Sequence, residues 1–289
     1  MQKFVEYIER YERPKRKAIS SRFPILVGPA VFTKRSIRLL YNFIFLSKLQ
    51  KEIFLPCVIA RHSSPLYRRL GDSETYLQKN KVTNLQIAIA LLDRIVIPTG
   101  AVFSLWDIIG SVTKQKGYVE GMLLSNGKVS VGMGGGLCQL SNFLMWIFLH
   151  ADIEIIERHH HSVDAFPDSG RTLPFGSGAT IFSNYLDLQI KNTSDSSLQL
   201  KLWLTKASLK GQLLSTKPAA YKYHVREVNH CFLKRNESFF RYNEIYRETL
   251  KEGVSITNNH IFTNFAPVAY DTNEVILTDL GYTVISVPI

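Results

Sequence analysis

The chain reads as helical stretches that give way to alternating strands. NLQIAIALLDRIVI (84–97) repeats apolar side chains at helical spacing and meets Pro98–Thr99–Gly100, which predicts a helix that stops there. AVFSLWDIIG is a short apolar run that suits a strand or a helix start, and residues 111–132 predict a loop or hairpin. A helix over 138–150 follows three glycines. Past its first turn nearly every position is apolar, from Leu140 to Leu149, so its body belongs in the interior. Its polar residues Cys138, Gln139, Ser141 and Asn142 cluster in the first turn, where they can face a cleft. IEIIERHHHSV (153–163) predicts a strand, and LDLQIKN, SLQLKLWLT and QLLST alternate like strands of a meander. Upstream, residues 1–55 read as helical, and SIRLLYNFIFLSKLQ offers an apolar surface that either packs on the domain or lies on lipid. RHSSPLYRRLGDS (61–73) has loop composition. The pattern predicts an α+β fold: N-terminal helices, a buried Cys-bearing helix and a mainly antiparallel sheet. The expected segments are 1–60 (basic and helical), 61–206 (core) and 207–289 (an extension without a motif).

Composition sharpens the N-terminal end. Of 289 residues, 45% are hydrophobic and 20% charged, the balance of a folded chain rather than a disordered one. Net charge is +11, and residues 1–51 hold twelve Lys or Arg against three Glu, so +9 of it lies there. Such a segment is drawn to anionic surfaces, or is a solvated face that aids solubility. It shows no regular basic–aromatic alternation and no nucleic-acid-binding motif, which argues against nucleic acid; an anionic membrane surface or a wall polymer is the candidate partner of 1–51. No apolar signal core appears in the first thirty residues, and FPILVGPAVF is too short to span a bilayer. The expectation is a cytoplasmic protein, with the inner membrane face as its nearest surface. Cys57, Cys138 and Cys231 are far apart and form no CxxC pair, so neither a disulfide framework nor a zinc knuckle is expected.

The candidate chemistry sits in GMGGGLCQLS. Glycines allow positive φ and close approach of a backbone or ligand, which makes Gly135 and Gly136 candidate substrate contacts together with Ser141. A helix beginning after them carries unpaired N–H groups and partial positive charge at its tip. Cys138 there is expected to be held toward thiolate, and the same N–H groups, with Gln139 as an added donor, can hold an oxyanion during acyl transfer. The plain alternative is a small buried hydrophobe on a tight turn. A phosphate loop is disfavoured because its Lys and Ser/Thr are missing.

A cysteine nucleophile needs a base, and ERHHHSV lies one element downstream. On a strand, His159 and His161 share one face and His160 takes the other. The same pair, with Asp164 or Asp168, could instead bind a metal. No cofactor is expected.

These segments, in this order, resemble the VanW family, known from some glycopeptide-resistance clusters and as a domain of larger bacterial wall-associated proteins. NKVTNLQIAIALLDRIVI resembles its opening helix and VIPTGAVFSLWDIIG its turn and FSFW-like run. GGGLCQLSNFLMWIFLH resembles its GGGxCQ helix, ERHHHSV its ERHxH element and SGATIFSNYLDLQIKN its final strand pair. The likeness covers residues from 62 to 205. Some exported members are associated with L,D-transpeptidation of peptidoglycan through the GGGxCQ cysteine. The resemblance therefore implies Cys138 as nucleophile, His161 as general base and Arg158, beside His159, as a ligand for a peptide carboxylate. It implies cysteine-dependent acyl transfer on a peptidoglycan peptide or wall precursor, with a non-catalytic accessory role in the same setting as the alternative. One departure matters: the family's Asp before Ala-Thr is Gly178 here, so an orienter of the histidine is lost unless Asp164, Asp168 or Asp187 replaces it. Loss of such an orienter can lower turnover by about 10⁴. A second departure, PTGA where the family more often has PGE, concerns loop geometry.

Overall fold

The computed structural model describes residues 1–13, 25, 27–67, 75–125, 128–168, 173–182 and 185–288. In chain order, α1 (Gln2–Glu12) and α2 (Val27–Phe45) precede β1 (Cys57–Pro65) and α3 (Thr75–Leu92). The short strands β2 (Val96–Ile97) and β3 (Val102–Ser104) lead into α4 (Leu105–Ile109) and the hairpin of β4 (Glu120–Ser125) and β5 (Lys128–Met133). A glycine turn then starts α5 (Leu137–Phe148). Strands β6 (Ile153–Glu157), β7 (Gln189–Asn192), β8 (Leu198–Leu204) and β9 (Ser208–Ser215) follow. Three long strands close the chain, β10 (Lys222–Arg235), β11 (Ser238–Lys251) and β12 (Val254–Pro267), with α6 (Glu274–Asp279) and β13 (Val284–Ser286) after them.

The strands form sheets in the orders β1-β9-β8-β2 and β3-β7-β6, the β4–β5 hairpin, and β12-β11-β10-β13. All pairings are antiparallel except β10 with β13, which confirms the α+β class. The main core gathers on α5. Leu140, Phe143, Leu144, Ile147 and Phe148 are buried against Leu85, Leu92, Phe103, Leu200 and Leu213 from the surrounding helices and strands. Each such side chain contributes about 1.5–3 kcal/mol by leaving water, so α5 is held by its body while its first turn stays free for polar work. Strand β9 approaches α5 closely: a Cβ on Gly211 would press on the Phe143 ring.

Four expectations are corrected. The stretch 61–73 is not all loop: its first five residues belong to β1, which pairs with β9 from Cys57↔Ser215 to Pro65↔Ser208. Its polar RHSS sequence lacks the apolar alternation that marks a strand, and the partner β9 supplies what the local pattern does not; residues 68–73 lie outside the described residues. The strand read over 153–163 ends at Glu157, and beyond it only His159 bridges, to Thr180. The helix read over 84–97 ends at Leu92, and Val96–Ile97 pairs with β8 as β2 instead. The segment boundaries also shift. The core sheet takes β9, beyond residue 206, while α1 joins the C-terminal sheet, its Ile8 buried with Tyr242, Phe240 and Val287 and its Tyr7 stacked on Phe265 at 5.5 Å.

Candidate functional site

The turn before α5 is built by its glycines. Gly134 and Gly136 adopt left-handed φ of 75° and 99°, which other residues take only at a cost. A Cβ on Gly135 would overlap the Gly121 backbone of β4, and one on Gly136 would overlap the Lys81 side chain of α3. Asn84 locks the turn, donating to the Gly135 and Val119 carbonyls at 2.9 and 3.0 Å and accepting from the Val119 N–H at 2.9 Å. The space that Gly135 and Gly136 open is thus filled by the protein's own backbone and by Lys81, which replaces their assignment as substrate contacts.

The helix tip is partly spent as well. The Leu137 N–H donates to the Gly134 carbonyl at 3.3 Å, and the Gln139 N–H to Gly136 at 3.0 Å. The Gln139 side chain donates to Ser64 Oγ at 2.9 Å and to the Pro65 carbonyl at 2.7 Å. Both amide hydrogens are thereby used. Gln139 anchors α5 to the end of β1, which corrects its reading as an oxyanion donor.

Cys138 faces the segment Gly176–Ile181. The Ile181 backbone N–H reaches the sulfur, and Ser141 Oγ, at 2.6 Å from the Ala179 carbonyl and 3.0 Å from the Cys138 carbonyl, staples that segment to the first turn of α5. Ser141 is fully buried, so it is a structural staple rather than a substrate contact. The residue Cys138 keeps part of its surface accessible, yet burial around the sulfur pushes the thiol up, against the lowering hydrogen bonds from the Ile181 and Cys138 backbone. Burial thus works against the thiolate expected at this helix start: desolvation is the largest influence on the sulfur, and it acts upward.

His161 joins the same cluster. Thr180 Oγ1 lies 2.9 Å from its Nδ1, and Asn142 Oδ1 lies 3.3 Å from its Nε2. Because Asn142 Oδ1 already accepts the Ala179 N–H at 2.9 Å, it is an acceptor toward the ring too. That assigns the ring proton to Nε2 and leaves Nδ1 to accept from the Thr180 hydroxyl. Asn142 sits one turn beyond Cys138 on one helix face, so the thiol and the imidazole border the same strip of chain. Gly178 is what admits Asn142: a Cβ there would overlap the Asn142 amide.

The remaining candidates are engaged elsewhere. Arg158 donates from Nε to the Gly178 carbonyl at 2.8 Å, reaches the Gly176 carbonyl and Asn264 Oδ1 from one terminal nitrogen, and stacks on Phe262 with its carbon 3.6 Å from the ring centroid. Burial pulls its guanidinium down to about 10, still charged at neutral pH. It braces the 176–178 loop from behind, in place of the carboxylate contact implied by resemblance. His159 Nε2 pairs with Glu157 Oε1 at 2.9 Å, and Glu157 is gripped in turn by the Arg38 guanidinium and accepts the Asp187 N–H at 2.9 Å. His160 is exposed. Asp187 accepts from Ser104 Oγ and the Trp106 and Leu188 N–H groups, whereas Asp164 and Asp168 both engage the buried Arg241. Among the described residues no group of three His, Cys, Asp or Glu is gathered as metal ligands, and His159 and His161 turn to different partners.

Asn142 and Thr180 are the members that sequence reasoning passed over. Both stand inside motifs already singled out. The i, i+4 spacing of Cys138 and Asn142, and the absence of a side chain at Gly178, are the signals that could have found the first.

Comparison with known proteins adds to this geometry. The family described as VanW like protein matches residues 80–214. The chain is 29% identical over 265 residues to Vancomycin B-type resistance protein VanW of Enterococcus faecalis (strain ATCC 700802 / V583), covering 90% of this chain and 96% of that one. It is 28% identical over 131 residues to the uncharacterized protein YoaR of Bacillus subtilis (strain 168), covering 43% of this chain and 41% of that one. No solved structure matches.

Proposed function

From the premise that this chain belongs to the VanW family, and so to the setting of vancomycin resistance, we propose that it is a cysteine-dependent acyl-transfer protein acting on peptidoglycan peptides or their precursors. The observation that carries this reading is the pairing of two adjacent residues: the Ile181 N–H on the Cys138 sulfur and the Thr180 hydroxyl on the His161 ring. In the proposed reaction the thiol attacks a peptide carbonyl, its proton passes to His161, and a thioester forms as the leaving amine takes that proton. An incoming amine or water then attacks the thioester and restores the thiol. For Nδ1 to accept the proton, Thr180 must rotate its hydroxyl away, and Asn142 Oδ1 then stabilises the imidazolium at Nε2–H. Asn142 thus takes the part of the family's Asp as a neutral, weaker positioning residue.

Incubation with a wall tetrapeptide followed by intact-mass measurement tests this. A covalent acyl adduct is expected on the wild-type chain and none on Cys138→Ala. Muropeptide turnover that survives Cys138→Ala overturns the proposal.

A second reading, a non-catalytic accessory protein that holds a wall precursor, is favoured by one observation: burial raises the thiol instead of lowering it. Alkylation against pH separates the two. If His161 takes the proton once substrate is bound, the wall tetrapeptide brings the pH midpoint of Cys138 alkylation down below 8.5. A midpoint that stays above 9 with and without the peptide favours the accessory role.

A further inference from the structure

Helix α2 is inside out. Its inward stripe, spaced by three and four residues, is Val31, Arg35, Arg38 and Asn42, while Phe32, Ile37, Leu40, Phe43, Ile44 and Phe45 are 59–79% exposed. A helix docked on a soluble domain has the reverse arrangement. The inward stripe is also poor as a core: the Asn42 amide is buried and meets no hydrogen-bond partner among the described residues. What fixes α2 to the body is polar. Arg38 grips Glu157 with both terminal nitrogens, and Lys34 Nζ lies 3.1 Å from the Tyr185 hydroxyl and 4.8 Å from the centroid of its ring. An apolar surface of this kind, continuous along a helix and facing away from the protein, needs a cover.

We propose that α2 lies in the interface of an anionic lipid bilayer, its outward apolar face among the acyl chains. Two observations select lipid as the cover. Residues 1–51 carry a net charge of +9, with Lys34, Lys48 and Lys51 exposed along or just beyond the helix, which complements anionic headgroups. Among the described residues no helix is long and apolar enough to cross a membrane, so α2, about 28 Å long at 1.5 Å per residue, lies along the surface rather than across it. Through Arg38 and Glu157 the same helix is tied to the strand that runs into His159 and His161, so docking turns that edge of the molecule toward the membrane. The inference rests on no assignment of chemistry at Cys138.

Vesicle flotation of the full chain tests it, with vesicles of phosphatidylcholine alone and of phosphatidylcholine with phosphatidylglycerol. Binding is expected to the anionic vesicles and to weaken with salt. The double variant Leu40→Asp/Ile44→Asp changes two outward side chains and should weaken binding by ~100-fold, about tenfold for each lost apolar anchor, with an unchanged melting temperature. Lys48→Glu should weaken binding to anionic vesicles by a smaller factor and preserve folding whatever the double variant does. Failure to float with anionic vesicles, or flotation that the double variant leaves intact, overturns the proposal. So does a lipid-free dimer in sedimentation equilibrium that the double variant dissolves, because a second copy then covers the face.

Discussion

Helices α5 and α2 carry similar runs of aromatic and aliphatic residues and do opposite things with them. In α5 these side chains point inward on nearly every side, and the polar first turn hydrogen-bonds the segment bearing Thr180 and Ile181. In α2 they point outward, and arginine and asparagine face the protein. The difference teaches what an apolar run means. Its composition demands removal from water, while the identity of the remover is decided by which face the rest of the chain grips. Around α5 the remover is the protein's own core, and the helix becomes a rigid mount for Cys138, Ser141 and Asn142. On α2 the grip includes the polar contacts of Arg38 and Lys34, and the apolar demand of the outward face is left for something outside the chain.

The sharpest way to break this contrast is to truncate one leucine in each helix. Leu144→Ala should cost about 2–5 kcal/mol, read as a fall in denaturant midpoint, because it opens a cavity in a fully buried site. Leu40→Ala, 60% exposed, should stay within about 0.5 kcal/mol. Equal losses would mean that α2 is packed in solution after all. Next in size is Gly178→Ala, which drives a methyl into the Asn142 amide and should cost about 1–3 kcal/mol. Placed in an Asn142→Ala background, the same change should cost markedly less, and a double-mutant cycle reads the coupling; strict additivity would show that the two do not share that space.

A gentler probe uses pH. His62 on β1 packs against Phe143 and Trp146 of α5, with its Nε2 buried and without a partner among the described residues. Burial, helped by the charge of His150, lowers its pKa to about 4. A histidine lowered in the fold is neutral when folded and protonates more readily when unfolded. Its contribution is complete above about pH 6.5 and declines as pH falls toward 4. Denaturant midpoints of wild type and His62→Phe, compared across that window, should differ in slope, with the variant flatter. Parallel curves would show the ring is solvated. A further small effect is expected on the α2 side, where Lys34→Ala removes an exposed contact with the Tyr185 ring and should change stability by about 0.5–1 kcal/mol or less in thermal denaturation.

Much of this was readable from residues alone. Periodicity is local, so the buried body of α5, its glycine turn, β7, β8 and the second half of β9 followed from spacing, whereas α3 stops at Leu92 and leaves Val96–Ile97 to pair as β2. Conformational need is local too: left-handed Gly134 and Gly136 announce a turn wherever they occur. What tertiary structure decided is everything that depends on a partner distant in sequence. Pairing with β9 made a strand of a polar stretch. Packing of β4 and Lys81 filled the space the glycines opened, and the end of β1 claimed the Gln139 amide. Desolvation reversed the direction expected for the Cys138 thiol, since the field of a helix tip is set by a few adjacent residues but the water excluded from a sulfur is set by all that surrounds it.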